Sequence, residues 1–194
     1  MKKAHVLLFD GYADWEIGNV LAEIRRLGQK EVISVGFTQE PVTSMGGLNV
    51  TPDMALADVR PKEVLILILP GGYLWEGEYP QNLIDPLVRQ LQDQQVPVAG
   101  ICAATTALAR SGILFGKKHT SNSIKYLSDR VADYSGHNDY MDQPAVRDGH
   151  VITASGLAAV EFTMEILSEL DLATPEMRTL WFEAFKHGNY PEDH

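Results

Sequence analysis

Residues 63–69 read EVLILIL, an apolar run with no polar alternation along its length. Such a run is too short for a membrane span, and its β-branched residues suit a strand buried on both faces. A strand of that kind needs a layer packed against each side of its sheet. The rest of the chain supplies the pieces. HVLLF (5–9), EVISVGF (31–37) and PVAGI (97–101) read as further strands, alternating with helical patterns. Helices are expected from about Trp15 to Leu27, with Asp14 as N-cap and Gly28 as stop, and from Gln81 to Gln94. Another begins after Cys102, a short one lies near 123–129, and an amphipathic one spans 158–170. Thr174-Pro175-Glu176 opens a last helix with a cap, a proline and an early acid. KHTS (118–121) reads as a short strand, while Gly46-Gly47 and Asp148-Gly149 mark hairpin turns. Alternation of this kind implies an α/β sandwich around a mostly parallel sheet.

The 194 residues suit a single domain, with 170–194 as a C-terminal helix and a frayed tail. A formal net charge of -10 argues against nucleic acid or an anionic membrane as partner. The N-terminus, MKKAHVLLFDGY, has a basic start, but its apolar part is brief and ends in Asp10-Gly11 without a cleavage pattern. It reads as the first strand, so a cytoplasmic protein is expected. The single cysteine excludes an internal disulfide, which suits a reducing compartment.

That cysteine lies in VPVAGICAATTALARSGIL (96–114), where a buried strand turns directly into a helix. A lone cysteine is most often a small core residue. Its position favours another role. Residues at the ends of strands in an open α/β sheet border the ligand crevice. A strand feeding straight into a helix presents its turn residue at a sharp elbow, with small Gly100 and Ala104 allowing close approach. A helix N-terminus there would favour a thiolate, and the Ala103 amide would serve as an oxyanion donor. Pro70-Gly71-Gly72 follows the 63–69 strand, offering the Gly72 amide as a second donor, although such turns are common at strand ends. Glu16 follows the first strand. It is either a solvated acid at a helix start or a carboxyl set against the thiol, the pair then titrating together.

DGYADWE, LPGGYL and AGICAATTALARSGIL together resemble the ThiJ/PfpI family of the class I glutamine amidotransferase-like superfamily. GKKHTSN and VRDGHVITASGLAAVEFTMEIL extend the resemblance to about Leu170. It implies a flavodoxin-like three-layer α/β sandwich, usually dimeric, with an elbow cysteine and a nearby glutamate. Members are described as glyoxalases or deglycases, isonitrile hydratases, proteases or amidases, chaperones and oxidative-stress proteins, and they include parkinsonism-associated deglycase relatives. Protease-like members carry histidine immediately after the cysteine, where this chain has Ala103. Deglycase-like members carry a histidine where this chain aligns Asn122, with His119 three residues earlier. Glutaminases use a late histidine and acid where this chain reads ITASG. Peptidase and glutaminase activities are therefore not expected.

A general base beyond Glu16 is the missing part. His119 would supply it if turned inward; otherwise it is a surface histidine of its strand. His137 and Asp139 in SGHNDYMD stand on an apparent loop, either as site residues or as turn chemistry. A metal site from His137, Asp139 and His150 has no recognised spacing and is rejected; neither metal nor cofactor is expected. Tyr12, Trp15, Tyr73 and Trp75 either wall a pocket or pack ordinarily. The expected function is a cysteine-dependent hydrolase or lyase acting on a small carbonyl, amide or related electrophile. The alternative is a redox-responsive stress or chaperone-like protein that uses oxidation of Cys102. A small-molecule substrate and a homodimer are the expected partners.

Overall fold

A computed structural model describes residues 1–190; the last four residues of the expected frayed tail lie outside the described residues. The strands are β1 (Lys3–Leu8), β2 (Val32–Gly36), β3 (Val42–Thr43), β4 (Asn49–Val50), β5 (Met54–Ala55), β6 (Val64–Leu69), β7 (Val98–Ile101), β8 (Ala145–Asp148) and β9 (Val151–Ala154). The helices are α1 (Asp14–Arg26), α2 (Gln81–Asp93), α3 (Ala104–Arg110), α4 (Ile124–Arg130), α5 (Ala159–Glu169) and α6 (Pro175–His187).

Seven strands form one sheet in the order β5-β2-β1-β6-β7-β9-β8, parallel except for the final β9–β8 pairing. The apolar run at 63–69 becomes β6, near the centre, with Ile66, Leu67, Ile68 and Leu69 wholly buried. Helices α1, α5 and α6 pack together on one face, and α2, α3 and α4 on the other. The result is a three-layer, flavodoxin-like α/β sandwich. Strands β3 and β4 pair separately as the small hairpin expected around Gly46-Gly47.

The chain leaves β1 toward β2 and β5, then returns to the other side of β1 with β6. The crevice between the carboxyl ends of β1 and β6 is therefore the switch point at which such sheets bind ligands. Glu16 lies just beyond β1, Gly71 just beyond β6, and Cys102 just beyond the adjacent β7.

Several local expectations need correction. Asp14 does not cap α1: the cap is Ala13, and the Asp14 carboxylate instead accepts the Gly46 N–H at 2.7 Å, tying the β3–β4 hairpin to the helix start. Helix α1 ends at Arg26, just before Gly28 as expected, with the Gly28 N–H donating back to the Glu23 carbonyl at 3.1 Å; the left-handed residue beyond is Gln29. Gly28 is small for a packing reason, since a Cβ there would stand 2.6 Å from both the Ile24 carbonyl and the Leu172 side chain. KHTS is not a strand; His119 makes a single bridge to Tyr140. The β8–β9 turn does form at Asp148-Gly149, with Gly149 and His150 both at positive φ, the twist a two-residue hairpin requires.

Candidate functional site

Strand β7 ends at Ile101, and Cys102 adopts φ +57°, a left-handed conformation that costs a non-glycine residue about 1–3 kcal/mol. The surrounding structure holds it there. The Cys102 N–H donates to the Ala154 carbonyl of β9 at 2.9 Å, and the Cys102 carbonyl accepts the Thr105 hydroxyl at 2.6 Å and the Thr105 N–H at 3.2 Å. Sheet and helix thus hold the turn from both sides, and the sulfur is half-buried at its apex. The strain is what an elbow nucleophile entails.

Glu16, in the first turn of α1, is buried, and its carboxylate accepts the Gly71 N–H at 2.5 Å. The Cys102 thiol stands beside it. Two glycines close around this pair. A Cβ on Gly71 would stand 2.6 Å from Glu16 Oε2 and 2.7 Å from Cys102 Cβ; one on Gly156 would stand 2.8 Å from Cys102 Sγ. Neither position tolerates a side chain without moving the pair.

Asn122 completes the cluster. Its Oδ1 accepts the Gly156 N–H at 2.9 Å, and because that backbone group can only donate, the amide orientation is determined. The Nδ2 therefore faces Cys102 Sγ, at 3.3 Å, as a donor.

Burial pushes the Glu16 carboxyl up to about 7, against the opposing pull of Gly71 and Cys102. The Cys102 thiol is pushed up to about 11, by burial first and by the charge of Glu16 second; the Asn122 amide and the Ala103 N–H pull the other way. This departs from the expectation of a thiolate favoured by a helix N-terminus. Helix α3 is only seven residues long, and desolvation outweighs what its start contributes. The charge of Glu16 acts on the thiol, so the two groups are expected to titrate together. When the pair carries a single negative charge, Asn122 and Ala103 draw it toward sulfur and Gly71 toward the carboxyl, which holds it as the more acidic of the two.

The remaining sequence-predicted residues divide clearly. Gly72 adjoins the pair, and among the described residues its N–H is taken by no backbone or side-chain acceptor. Trp15 is largely exposed and donates its indole N–H to the Gly156 carbonyl at 3.3 Å, which puts it at the rim. Tyr73 is exposed beside the loop, whereas Tyr12 is buried. Trp75 is not a pocket wall. It is wholly buried, packs edge-on against Phe9 and Tyr79, and donates to the Pro70 carbonyl at 2.7 Å, supporting the Gly71 loop from behind.

His119 does not face the thiol, nor does it lie on the surface. It is buried, with Nδ1 2.7 Å from the Lys117 carbonyl and Nε2 2.6 Å from the Tyr134 hydroxyl, so both ring nitrogens are occupied. His137 is engaged with the Ser128 hydroxyl at 3.1 Å, and Asp139 belongs to the same short turn. Among the described residues no group of three or more metal-ligating side chains converges. A cavity of about 360 Å³, lined in part by Asn122, Ser155, Leu157 and Glu161, opens beside the cluster.

Gly156 and the structural role of Gly71 were not singled out from sequence. The available signal was the same for both: a glycine one or two residues past a strand that ends at the switch-point side of the sheet. No local pattern points to Tyr126, whose hydroxyl feels the charge of Cys102 from helix α4.

Comparison with known proteins gives concordant results. The model of the DJ-1/PfpI family matches residues 2–169. An "Uncharacterized protease YoaZ" of Bacillus subtilis is 33% identical over 195 residues, covering 95% of this chain and 91% of that protein. A "Glutathione-independent glyoxalase DJR-1.2" of Caenorhabditis elegans is 30% identical over 158 residues, covering 78% of this chain and 80% of that protein. The solved structure of the DJ-1 superfamily protein Atu0886 from Agrobacterium tumefaciens superposes with a TM-score of 0.88 at 38% identity, covering 96% of this chain and 100% of that one.

Proposed function

The chain belongs to the DJ-1/PfpI family, and from that premise we propose that it is a cysteine-dependent hydrolase or lyase acting on a small, reactive carbonyl compound. The observation that carries this reading is the locked Cys102–Glu16 pair between Gly71 and Gly156. In the proposed reaction the singly charged pair begins as a Glu16 carboxylate and a Cys102 thiol, and Glu16 takes the thiol proton as sulfur attacks. Sulfur attacks the carbonyl carbon, and the carbonyl π-electrons move to oxygen. The Gly72 and Ala103 amides receive that oxygen as charge develops. Glu16 then delivers its proton to the alkoxide, giving a neutral hemithioacetal and a carboxylate ready to accept a proton in the next step.

Addition to a carbonyl needs no protonated amine leaving group. That suits a site whose acid/base group is Glu16 and whose histidines, His119 and His137, are engaged elsewhere. For an α-oxoaldehyde the overall change is addition of water to give a 2-hydroxy acid, with no external oxidant or reductant. The relative named as a glyoxalase supports this choice over the amide chemistry suggested by the relative named as a protease.

With methylglyoxal as probe, wild-type turnover is expected, abolished in Cys102→Ala and reduced about 10²-fold or more in Glu16→Gln. An inert wild type whose Cys102 is oxidised stoichiometrically by peroxide would instead favour the redox-responsive reading. Full activity in Glu16→Gln would remove the role given to Glu16. We further propose a homodimeric, cytoplasmic protein with a small-molecule substrate and with neither nucleic acid nor membrane as partner. The acidic net charge of -10, the single thiol, and an apolar patch of Trp15, Met45 and Leu48 support these assignments. No helix among the described residues is long and apolar enough to cross a membrane.

A further inference from the structure

The strained elbow is held from beneath by a side chain that the proposed reaction does not use. The Thr105 hydroxyl lies 2.6 Å from the Cys102 carbonyl and, on its other side, 2.6 Å from the Ser121 hydroxyl. Both residues are buried, at 0% and 3% exposure. A threonine that bonds the carbonyl three residues back is ordinary in a helix. Thr105 differs in what it bonds. Its acceptor belongs to the left-handed residue that carries the sulfur, and its second partner is 16 residues away in sequence.

The directions of the two bonds follow from counting protons. A carbonyl only accepts, so the single Thr105 proton goes to Cys102. The bond between the hydroxyls therefore runs from Ser121 to Thr105. In the resulting relay each bond polarises and strengthens the next. It ends on the backbone of the nucleophile and starts one residue before Asn122, whose amide donates to Cys102 Sγ at 3.3 Å. The segment that carries Ser121 is itself anchored. The Thr120 N–H donates to the Thr153 hydroxyl of β9 at 2.8 Å, and the Thr120 hydroxyl to the Gln143 carbonyl at 2.7 Å. Asn122 is exposed, and the relay joins its buried neighbour to the elbow.

We propose that Thr105 and Ser121 are positioning residues: their buried relay sets the Cys102 sulfur against the Asn122 amide, so that the amide stabilises charge on sulfur as it attacks. Both act through the backbone, Thr105 through the Cys102 carbonyl and Ser121 through its peptide bond to Asn122. The proposal deepens the reading of Cys102 as the nucleophile and rests on it.

Alkylation by iodoacetamide at pH 8 tests the relay without requiring turnover. Cys102 is the only cysteine, so intact mass reports it alone. Thr105→Val keeps the shape of the side chain and removes the hydroxyl. The rate should fall about tenfold, the worth of one hydrogen bond to a charged atom. Thr105→Ser, which restores the hydroxyl, should recover most of that loss. Ser121→Ala leaves the bond to Cys102 in place and should cost about threefold. Ser111, at the far end of α3, is also buried and donates to the Leu108 carbonyl three residues back at 2.8 Å; Ser111→Ala should leave the rate unchanged.

The decisive measurement is a double-mutant cycle with Asn122→Ala. In that background Thr105→Val and Ser121→Ala should have almost no further effect, because the amide they position is gone. Losses that multiply would show relay and amide acting independently and overturn the proposal. So would an equal loss in Ser111→Ala, or an unchanged or faster rate in both relay variants, the result expected if the change merely loosened the elbow and exposed the sulfur. Should Thr105→Val fail to fold, Ser121→Ala carries the same cycle. Absence of any wild-type adduct overturns the nucleophile reading and the relay with it.

Discussion

At the scale of single residues, two side chains carry unfavourable states that the fold sustains: Cys102 in a left-handed backbone conformation and Glu16 buried with its carboxyl near neutrality. The Glu16 shift has a thermodynamic consequence with a definite sign. The carboxyl titrates at 4.5 when unperturbed and at about 7 in the folded protein. Burial opposes the ionised form, so this contribution to stability is intact below the unfolded value and is lost as pH rises through the folded one. Glu16→Gln, which removes the ionisation, should therefore gain stability relative to wild type between those values, by about 3 kcal/mol above pH 7. Denaturant melts of both proteins at pH 5 and pH 8 measure this. A stabilisation larger at pH 5 than at pH 8 would contradict the shift. Of these residues, Cys102 is legible in the sequence because it follows an apolar strand directly, and Glu16 because it opens the helix after the first strand. The contact of Asn122 with sulfur is not legible, since it depends on which way an amide turns once Gly156 donates to it. His119 misleads for a related reason: sequence shows a histidine near the site, while Lys117 and Tyr134 claim both its nitrogens.

At the scale of elements, the site is an assembly of strand ends and helix starts. Strands β1, β6, β7 and β9 each deliver a short turn to the same edge, carrying Glu16, Gly71, Cys102 and Gly156 respectively. The buried parallel strands are readable from sequence because continuous apolar runs have few other uses. KHTS fails as a strand because its residues are held by the 139–141 segment and by side chains, among them the Thr153 hydroxyl that accepts the Thr120 N–H at 2.8 Å. Helix α4 matters through its first turn, where the Ser123 cap sets both Asn122 and Tyr126. Ser123→Ala should cost about 1 kcal/mol of stability and also lower Cys102-dependent turnover. Thr174→Ala removes the corresponding cap of α6, away from the switch point, and should cost a similar stability without loss of turnover. Equal losses of activity in the two variants, corrected for folded protein, would show that α4 has no special part in the site.

At the scale of the whole molecule, the strand order places the reactive pair beside the β1–β6 crevice and leaves Trp15, Met45 and Leu48 exposed close by. Apolar residues gathered in this way suit burial against a second copy. Sedimentation should therefore give a dimer, and Leu48→Asp should raise its dissociation constant tenfold or more; a monomeric wild type at micromolar concentration would refute the dimer. The central claim is nonetheless that thiol and carboxyl act as one titrating unit, and the pH dependence of iodoacetamide alkylation at Cys102 tests it most directly. The account predicts a two-step profile in wild type, with the first rise near pH 7 where the pair loses its first proton and the second toward about 11. In Glu16→Gln the first step should vanish. A single inflection near the free-cysteine value of about 8.5, identical in both proteins, would mean that Glu16 and Cys102 are neighbours without being a unit.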